Sequence, residues 1–419
     1  MSDASQVKMA YRDELAWGEA ITTVASPVKV ARELRFTDEG LTFNHETERS
    51  NETRADRNTV GMVRVSASAA GPINIEASFG SHDPLLEGAF YNNWDTLIDI
   101  NAPGSPFDSL TVTVTANITS PIQDSTGTIS VAGSPDRLLN AVVGHHIELS
   151  GTGSPDADGF YLVTANAGGS LTVQPSPPVS TSGTFRVRQS GIHNSTVPKS
   201  WLIEKEMRDV TEFFAFTGQR VESWSLNIVP GSIITGTLNF RGKEVFEAAA
   251  TVFPGSPAVA ALPVTTDVLN SVDNIGNIQI DGLTPVGVNF TELSFEINNN
   301  LRDQPALGSL FNVGVGAGTV AITGSIISYF LNRNLYSKFR NFDDVKLSFT
   351  ATDQAGTSYL FFFPRFKITG GEVVAGGNNT DVLANFTFEA ILDATLGFAF
   401  ALNRFPTAAS TLLPATASQ

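Results

Sequence analysis

Cysteine is absent from all 419 residues, which excludes disulfides, thiolate metal sites and a cysteine nucleophile and leaves burial and hydrogen bonding to hold the fold. Positive charge is scarce: 26 Lys and Arg stand against 42 Asp and Glu, a formal net charge of -16. A protein that grips nucleic acid concentrates Lys and Arg, so this balance excludes a DNA ligand. It suits a surface that DNA slides past without being held. Long apolar runs are missing too, since none approaches the roughly 20 residues of a membrane-spanning helix. The first residues lack the basic and apolar regions of a signal peptide. A soluble protein made in the cytoplasm, with no membrane partner, is expected.

Phe (29), Gly (36) and Pro (21) are abundant. Short runs of alternating apolar and polar residues are bounded by Gly, Asn and Asp, which is strand and turn chemistry. Strands are predicted at 41–47, 62–67, 73–79, 110–118, 224–228, 234–240, 293–297, 345–351, 359–368 and 382–391. Two helices are predicted. One begins at Asp83-Pro84, with Asp83 as the cap and Pro84 in the first turn; the other covers 326–339, where apolar residues fall at helical spacing.

The two ends of the chain present the same order of features. Leu41-Thr42-Phe43 opens a strand followed by a polar loop, a strand and a short helix, and Leu293-Ser294-Phe295 does likewise. Each half then has an aromatic strand (212–216; 359–363) and a closing strand (236–240; 384–389). Between the halves' shared features the first carries an extra stretch rich in Ser, Thr, Gly and Pro. The expected organisation is therefore a first domain of residues 1–119 plus 192–262, an inserted small β-barrel of 120–191, and a second domain of 263–419. The insertion leaves and returns at neighbouring points and so projects outward.

No residues assemble into a catalytic constellation. Adjacent His145 and His146 would point to opposite faces of a strand and share no metal. Asp156-Ala157-Asp158-Gly159 begins like a calcium loop but lacks the later acidic ligand, so a hairpin turn is expected. Gly314-Val315-Gly316-Ala317-Gly318 is not a dinucleotide fingerprint and reads as a flexible turn. There is no G-x-S-x-G elbow, and the four tryptophans are scattered, which disfavours a carbohydrate-active cleft. No catalytic residue, cofactor or metal is expected. The mixed-charge stretch between two apolar strands, with Glu48, Arg49, Glu52, Arg54, Asp56 and Arg57, reads as a long hairpin loop, either solvated or pairing with a neighbouring subunit.

The series Ser50-x-Glu52-x-Arg54-x-Asp56-Arg57, then Ala70-Gly71-Pro72-Ile73-Asn74-Ile75-Glu76 and Leu85-Leu86-Glu87-Gly88-Ala89-Phe90, resembles the N-terminal half of phage tail tube proteins. Phe216-Thr217-Gly218-Gln219-Arg220-Val221-Glu222-Ser223-Trp224, the stretch 236–243, and 392–397 through Arg404-Phe405-Pro406 continue the likeness. The resemblance implies an all-β virion protein with few short helices. It comprises two tandem tube domains of β-sandwich or barrel type and the inserted barrel. It further implies sheets that join into stacked rings, three duplicated subunits per pseudo-hexameric ring, and a long loop reaching the next ring. Tape measure, tail terminator and baseplate proteins would be partners, DNA would pass through the lumen unbound, and the tail would be of the long, non-contractile kind. A baseplate hub or surface adhesin would share the same composition; helical polymerisation separates them.

Overall fold

The computed structural model describes residues 3–18, 31–102, 109–119, 122–253, 267–282, 285 and 288–407. The expected domain boundaries at residue 120 and between 262 and 263 fall outside the described residues. The protein is mostly β, with two eight-residue α-helices, Asp83–Phe90 and Asn334–Asn341.

The main sheet contains one strand order twice. In the first half Val7–Asp13 pairs with Trp201–Met207, which pairs with Glu212–Ile228; that strand pairs with Thr235–Gly242, then Met62–Glu76, then Thr42–Arg49. In the second half the same neighbours are Ile275–Ile280, Asp344–Thr352, Ser358–Val374, Leu383–Ala390, Ala321–Tyr329 and Phe290–Asn298. Register irregularities fall at matching places. One lies between Trp201 and Ile203, matched by Val345 and Leu347, and another between Val221 and Ser223, matched by Ile368 and Gly370. The two central strands are both 17 residues long. Both helices end on an aromatic residue in the left-handed conformation, Tyr91 (φ 51°) and Phe342 (φ 58°), whose N–H turns back to the last carbonyls. The αL stop closes a helix that has no following glycine.

The apolar faces of both halves merge into one core that includes Trp94, Trp201, Trp224, Phe295, Phe363 and Phe400. Phe363 and Phe400 stack at 4.3 Å, and Phe349 and Phe361 at 4.6 Å. Close approach explains Gly88: a Cβ there would lie 2.1 Å from the Trp201 ring.

A second, eight-stranded antiparallel sheet has its own core of aliphatic residues with Tyr161 and Phe185. It draws on Ile98–Ile100 and Val112–Thr115 as well as on strands within 120–191. Ile98–Ile100 pairs with Arg186–Gln189, so the chain enters and leaves side by side. The sheet rests on the main body through Leu162 packed with Leu360, Phe362, Phe398 and Phe405. Arg188 donates to the carbonyls of Phe405 and Pro406.

Four expectations need correction. Residues 62–67 and 73–79 are not separate strands; Met62–Glu76 runs through, because Pro72 contributes only its carbonyl, to the Gly40 N–H at 2.8 Å. The helix expected over 326–339 is a strand up to Tyr329 and a helix only from Asn334. β-Branched Ile326 and Ile327 alternate between core and solvent faces there, and pairing with a strand on each side overrides the helical spacing. Asp83 does not cap the first helix: its buried carboxylate accepts from the Tyr359 hydroxyl and pairs with Arg404 at 2.5 Å. The 314–318 glycines are not a free turn, since Gly314–Gly316 pairs with Arg302–Gln304.

Candidate assembly surfaces

The two halves join through strands. Ser223–Ile228 runs antiparallel to Leu293–Asn298, with Trp224 opposite Ile297 and Leu226 opposite Phe295 on the core face. Asn299 extends the ladder by donating to the Glu222 carbonyl at 2.8 Å. Beyond it, Arg241 bridges Glu222 (2.6 Å) and Asp303 (3.2 Å). The result is an unbroken run of eight strands from Thr42–Arg49 at one edge to Ser358–Val374 at the other. Among the described residues, Thr42–Arg49 has a strand neighbour on one side only. So has the stretch 370–374. Unpaired edges of this length invite pairing with another chain.

The two faces of this run differ. One is core. The other is open and polar, a groove of about 800 Å³ across both halves lined by Ser and Thr hydroxyls, Asn227 and the carboxylates of Glu292, Glu296 and Glu389. No Lys or Arg is among the described residues lining it. Alternation places Ser294 and Ser325 on this face, hydrogen-bonded at 2.9 Å, while Leu293, Phe295 and Ile326 point inward. An antiparallel sheet with one face wet gives this alternation.

The hairpin of Thr42–Arg49 and Met62–Glu76 carries every sequence-predicted assembly residue. Glu48 and Arg49 end the first strand; Glu52, Arg54, Asp56 and Arg57 form the exposed loop. Arg54 makes two 3.1 Å contacts with Asp56 inside the loop, so that pair is satisfied within the chain. Its guanidinium, with the Asn58 N–H, holds the Asp56 carboxyl below the usual range. The hairpin also exposes Met62 (55%), Val63 (63%) and Val65 (46%). The sequence reading missed this apolar row, whose signal was the Met-Val-x-Val run beside the charges. In the second half the equivalent loop folds back: Ala67 N–H donates to the Leu310 carbonyl and Phe43 meets Phe311.

Where chemistry was sought, the side chains are structural. Asp158 accepts from the N–H groups of Gly151 and Thr152 and closes a turn. His146 is buried edge-on to Phe362. His145, also buried, lies 2.6 Å from Asp95 without hydrogen-bond alignment, and its Nε2 is 3.0 Å from His193 Nδ1. That relay ends on an imidazole, not on a nucleophile. Among the described residues no group of three or more His, Asp or Glu is placed to hold a metal, and no helix is long and apolar enough to cross a membrane.

A sheet with one acidic open face, two unpaired edges and an exposed apolar arm is built for self-association. Comparison with protein families decides the matter: the family described as phage tail tube protein matches residues 4–390. The chain belongs to the phage tail tube family. The match spans both halves and the inserted sheet together. No curated protein matches the chain. Membership makes this a structural tail tube protein of the virion tail, which self-assembles into the tube.

Proposed function

We propose that three copies of this tail tube chain close a ring, that the rings stack, and that the resulting lumen conducts the genome to the host. What carries the reading is the eight-strand run with its open acidic face and unpaired edges. Joined edge to edge, such runs form a barrel with the acidic face inward. With strands about 4.8 Å apart and tilted about 40°, three chains give a backbone radius of roughly 24 Å and two chains roughly 16 Å. After about 5 Å of side chain, only the first clears a hydrated duplex comfortably. Carboxylates and hydroxyls on the wall repel phosphate and leave DNA unbound.

In this reading 1–119 with 192–262 and 263–419 are duplicated tube domains. The insertion, with its sheet reaching back to Ile98, decorates the exterior, since the body residues it packs on, Leu360, Phe362, Phe398 and Phe405, are not among those that line the acidic groove. The arm carrying Glu48, Arg49, Glu52, Arg54, Asp56 and Arg57 contacts neighbouring subunits and the next ring. Its exposed Met62, Val63 and Val65 would be covered there. The tape measure protein would occupy the lumen before DNA, and terminator and baseplate proteins would cap the stack.

Electron microscopy of the purified protein at high concentration tests this. Stacked rings with threefold symmetry and a channel wide enough for duplex DNA are expected. Persistent monomers, or rings of another order, would reject the stoichiometry and with it the conduit of this width.

A further inference from the structure

The junction inside the chain is a template for the junction between chains, and its charges differ in an informative way. The strand registers make the halves superimposable position by position. The matching irregularities align Ser223 with Gly370, Trp224 with Gly371 and Leu226 with Val373. On the other side, Gly71 faces Phe240 as Gly324 faces Phe388, which aligns Leu41 with Phe295 and Phe43 with Ile297. The edge 370–374 is thus the counterpart of 223–227, and the edge around Thr42 the counterpart of the strand that 223–227 already pairs with. Transferring the register places Gly371 opposite Phe43 and Glu372 opposite Thr42 of the next subunit.

The ion pair at the template then has a counterpart of opposite sign. Arg241 aligns with Glu389, both next to the irregularity on the open face. Counting on from Phe43 and Ile297, Asp303 aligns with Arg49. Arg241 and Asp303 are bonded at 3.2 Å. Arg49 and Glu389 are both exposed, and among the described residues neither makes an ion pair within its own chain.

Resting on the ring reading above, we infer that Arg49 of one subunit pairs with Glu389 of the next and that this pair favours the joining of unlike edges. The edges open to another chain are Thr42–Arg49 and 370–374, because Ser223–Ile228 and Leu293–Asn298 already pair with each other. Unlike edges brought together set Arg49 against Glu389, whereas two like edges bring two arginines or two glutamates to one junction. Specificity of this kind comes from penalising the competitor as much as from favouring the partner.

The absence of cysteine makes the register directly testable. Thr42 and Glu372 would form a non-hydrogen-bonded antiparallel pair, where Cα atoms lie about 4.5 Å apart and a disulfide fits. The full-length Thr42→Cys, Glu372→Cys double variant should cross-link on oxidation of assembled tubes into a covalent ring. Thr42→Cys with Val373→Cys, which puts the thiols on opposite faces, should not. Separately, Arg49→Glu and Glu389→Arg alone should each raise the concentration needed for assembly about fivefold, and the double reversal should restore it. Circular dichroism of each unassembled variant checks that it is folded. Tubes that form while the in-register pair stays unlinked, or while the out-of-register pair links as well, would overturn the register and leave the tube standing. Failure of the double reversal to rescue would overturn the ion pair. A wild-type chain that forms no rings removes the tube reading and this inference together.

Discussion

The two halves solve one packing problem with opposite distributions of bulk. In the first, all eight residues of helix Asp83–Phe90 are buried, and Gly88 makes room for the Trp201 ring. In the second, only Leu335 of helix Asn334–Asn341 is buried. Aligning the two αL caps sets Phe339 at the place of Gly88. Phe339 fills its site from the helix side, lying over Gly371, the counterpart of Trp224. Large against small on one side becomes small against large on the other. Backbone register is held while volume migrates between elements, which close-packed cores permit when total volume is kept. The first helix sits deep because the chain continues from it into the inserted sheet and because Asp83 and Trp94 hold it to Tyr359 of Ser358–Val374 and to Arg404 of Ala401–Phe405. The Arg404 guanidinium lies 4.2 Å from the Trp94 ring.

That contrast predicts unequal sensitivity. Arg404→Met, measured by urea unfolding of the unassembled chain, should cost about 3–5 kcal/mol, because it leaves the Asp83 carboxylate buried without its cation. Asn334→Ala, at the exposed counterpart of Asp83 in the second helix, should change stability by under about 0.5 kcal/mol. Equal losses at the two positions would break the comparison. Gly88→Ala should cost about 1–3 kcal/mol through the clash with Trp201, whereas a Cβ at Gly371 would meet the Phe339 and Phe386 rings at 2.9–3.0 Å, less closely than the 2.1 Å at Gly88, and should cost less.

The joint between body and insert supplies a pH test. Burial, aided by His145 and Lys346, pushes His146 down to about 3. The folded state thus holds it neutral, and unfolding takes up a proton at any pH between that value and the ordinary 6.5. Its contribution is whole above about pH 6.5 and is lost as pH falls, at about 1.4 kcal/mol per pH unit. Unfolding across a pH series should show this slope, and His146→Leu should flatten it by one proton. The smallest expected effect on the lone chain is in the arm. Val63→Asp with Val65→Asp should leave its melting temperature nearly unchanged while preventing long tubes in electron micrographs, since both side chains are exposed until assembly.

Alternation made most strands legible: Phe43, Leu293, Phe295, Phe386 and Phe388 announced their faces, and the order of features announced the repeat. Length and partner choice were not legible. Ile326 to Phe339 has helical spacing, but pairing with Phe290–Asn298 and Leu383–Ala390 on its two sides decides that its first part is strand. Asp83 looked like a cap because a local rule fits it, whereas its partners lie 276 and 321 residues away. The hairpin 42–76 stood out by its charges. Its apolar row was overlooked because exposure is a property of the fold, and the alignment of Arg49 with Asp303 emerges only once the registers are known.

In the ring proposed above, a chain would carry its own copy of the contact it makes with others, and this would give it an unusual sensitivity. Each strand junction turns the sheet by some angle, and whether successive turns close a circle or run on as a spiral depends on their sum. In that ring half of those turns would be set inside single molecules, before any encounter. A substitution buried at Trp224 or Phe295, far from every exposed edge, would therefore alter the bore of the finished conduit, with its error multiplied by the number of molecules in the circle.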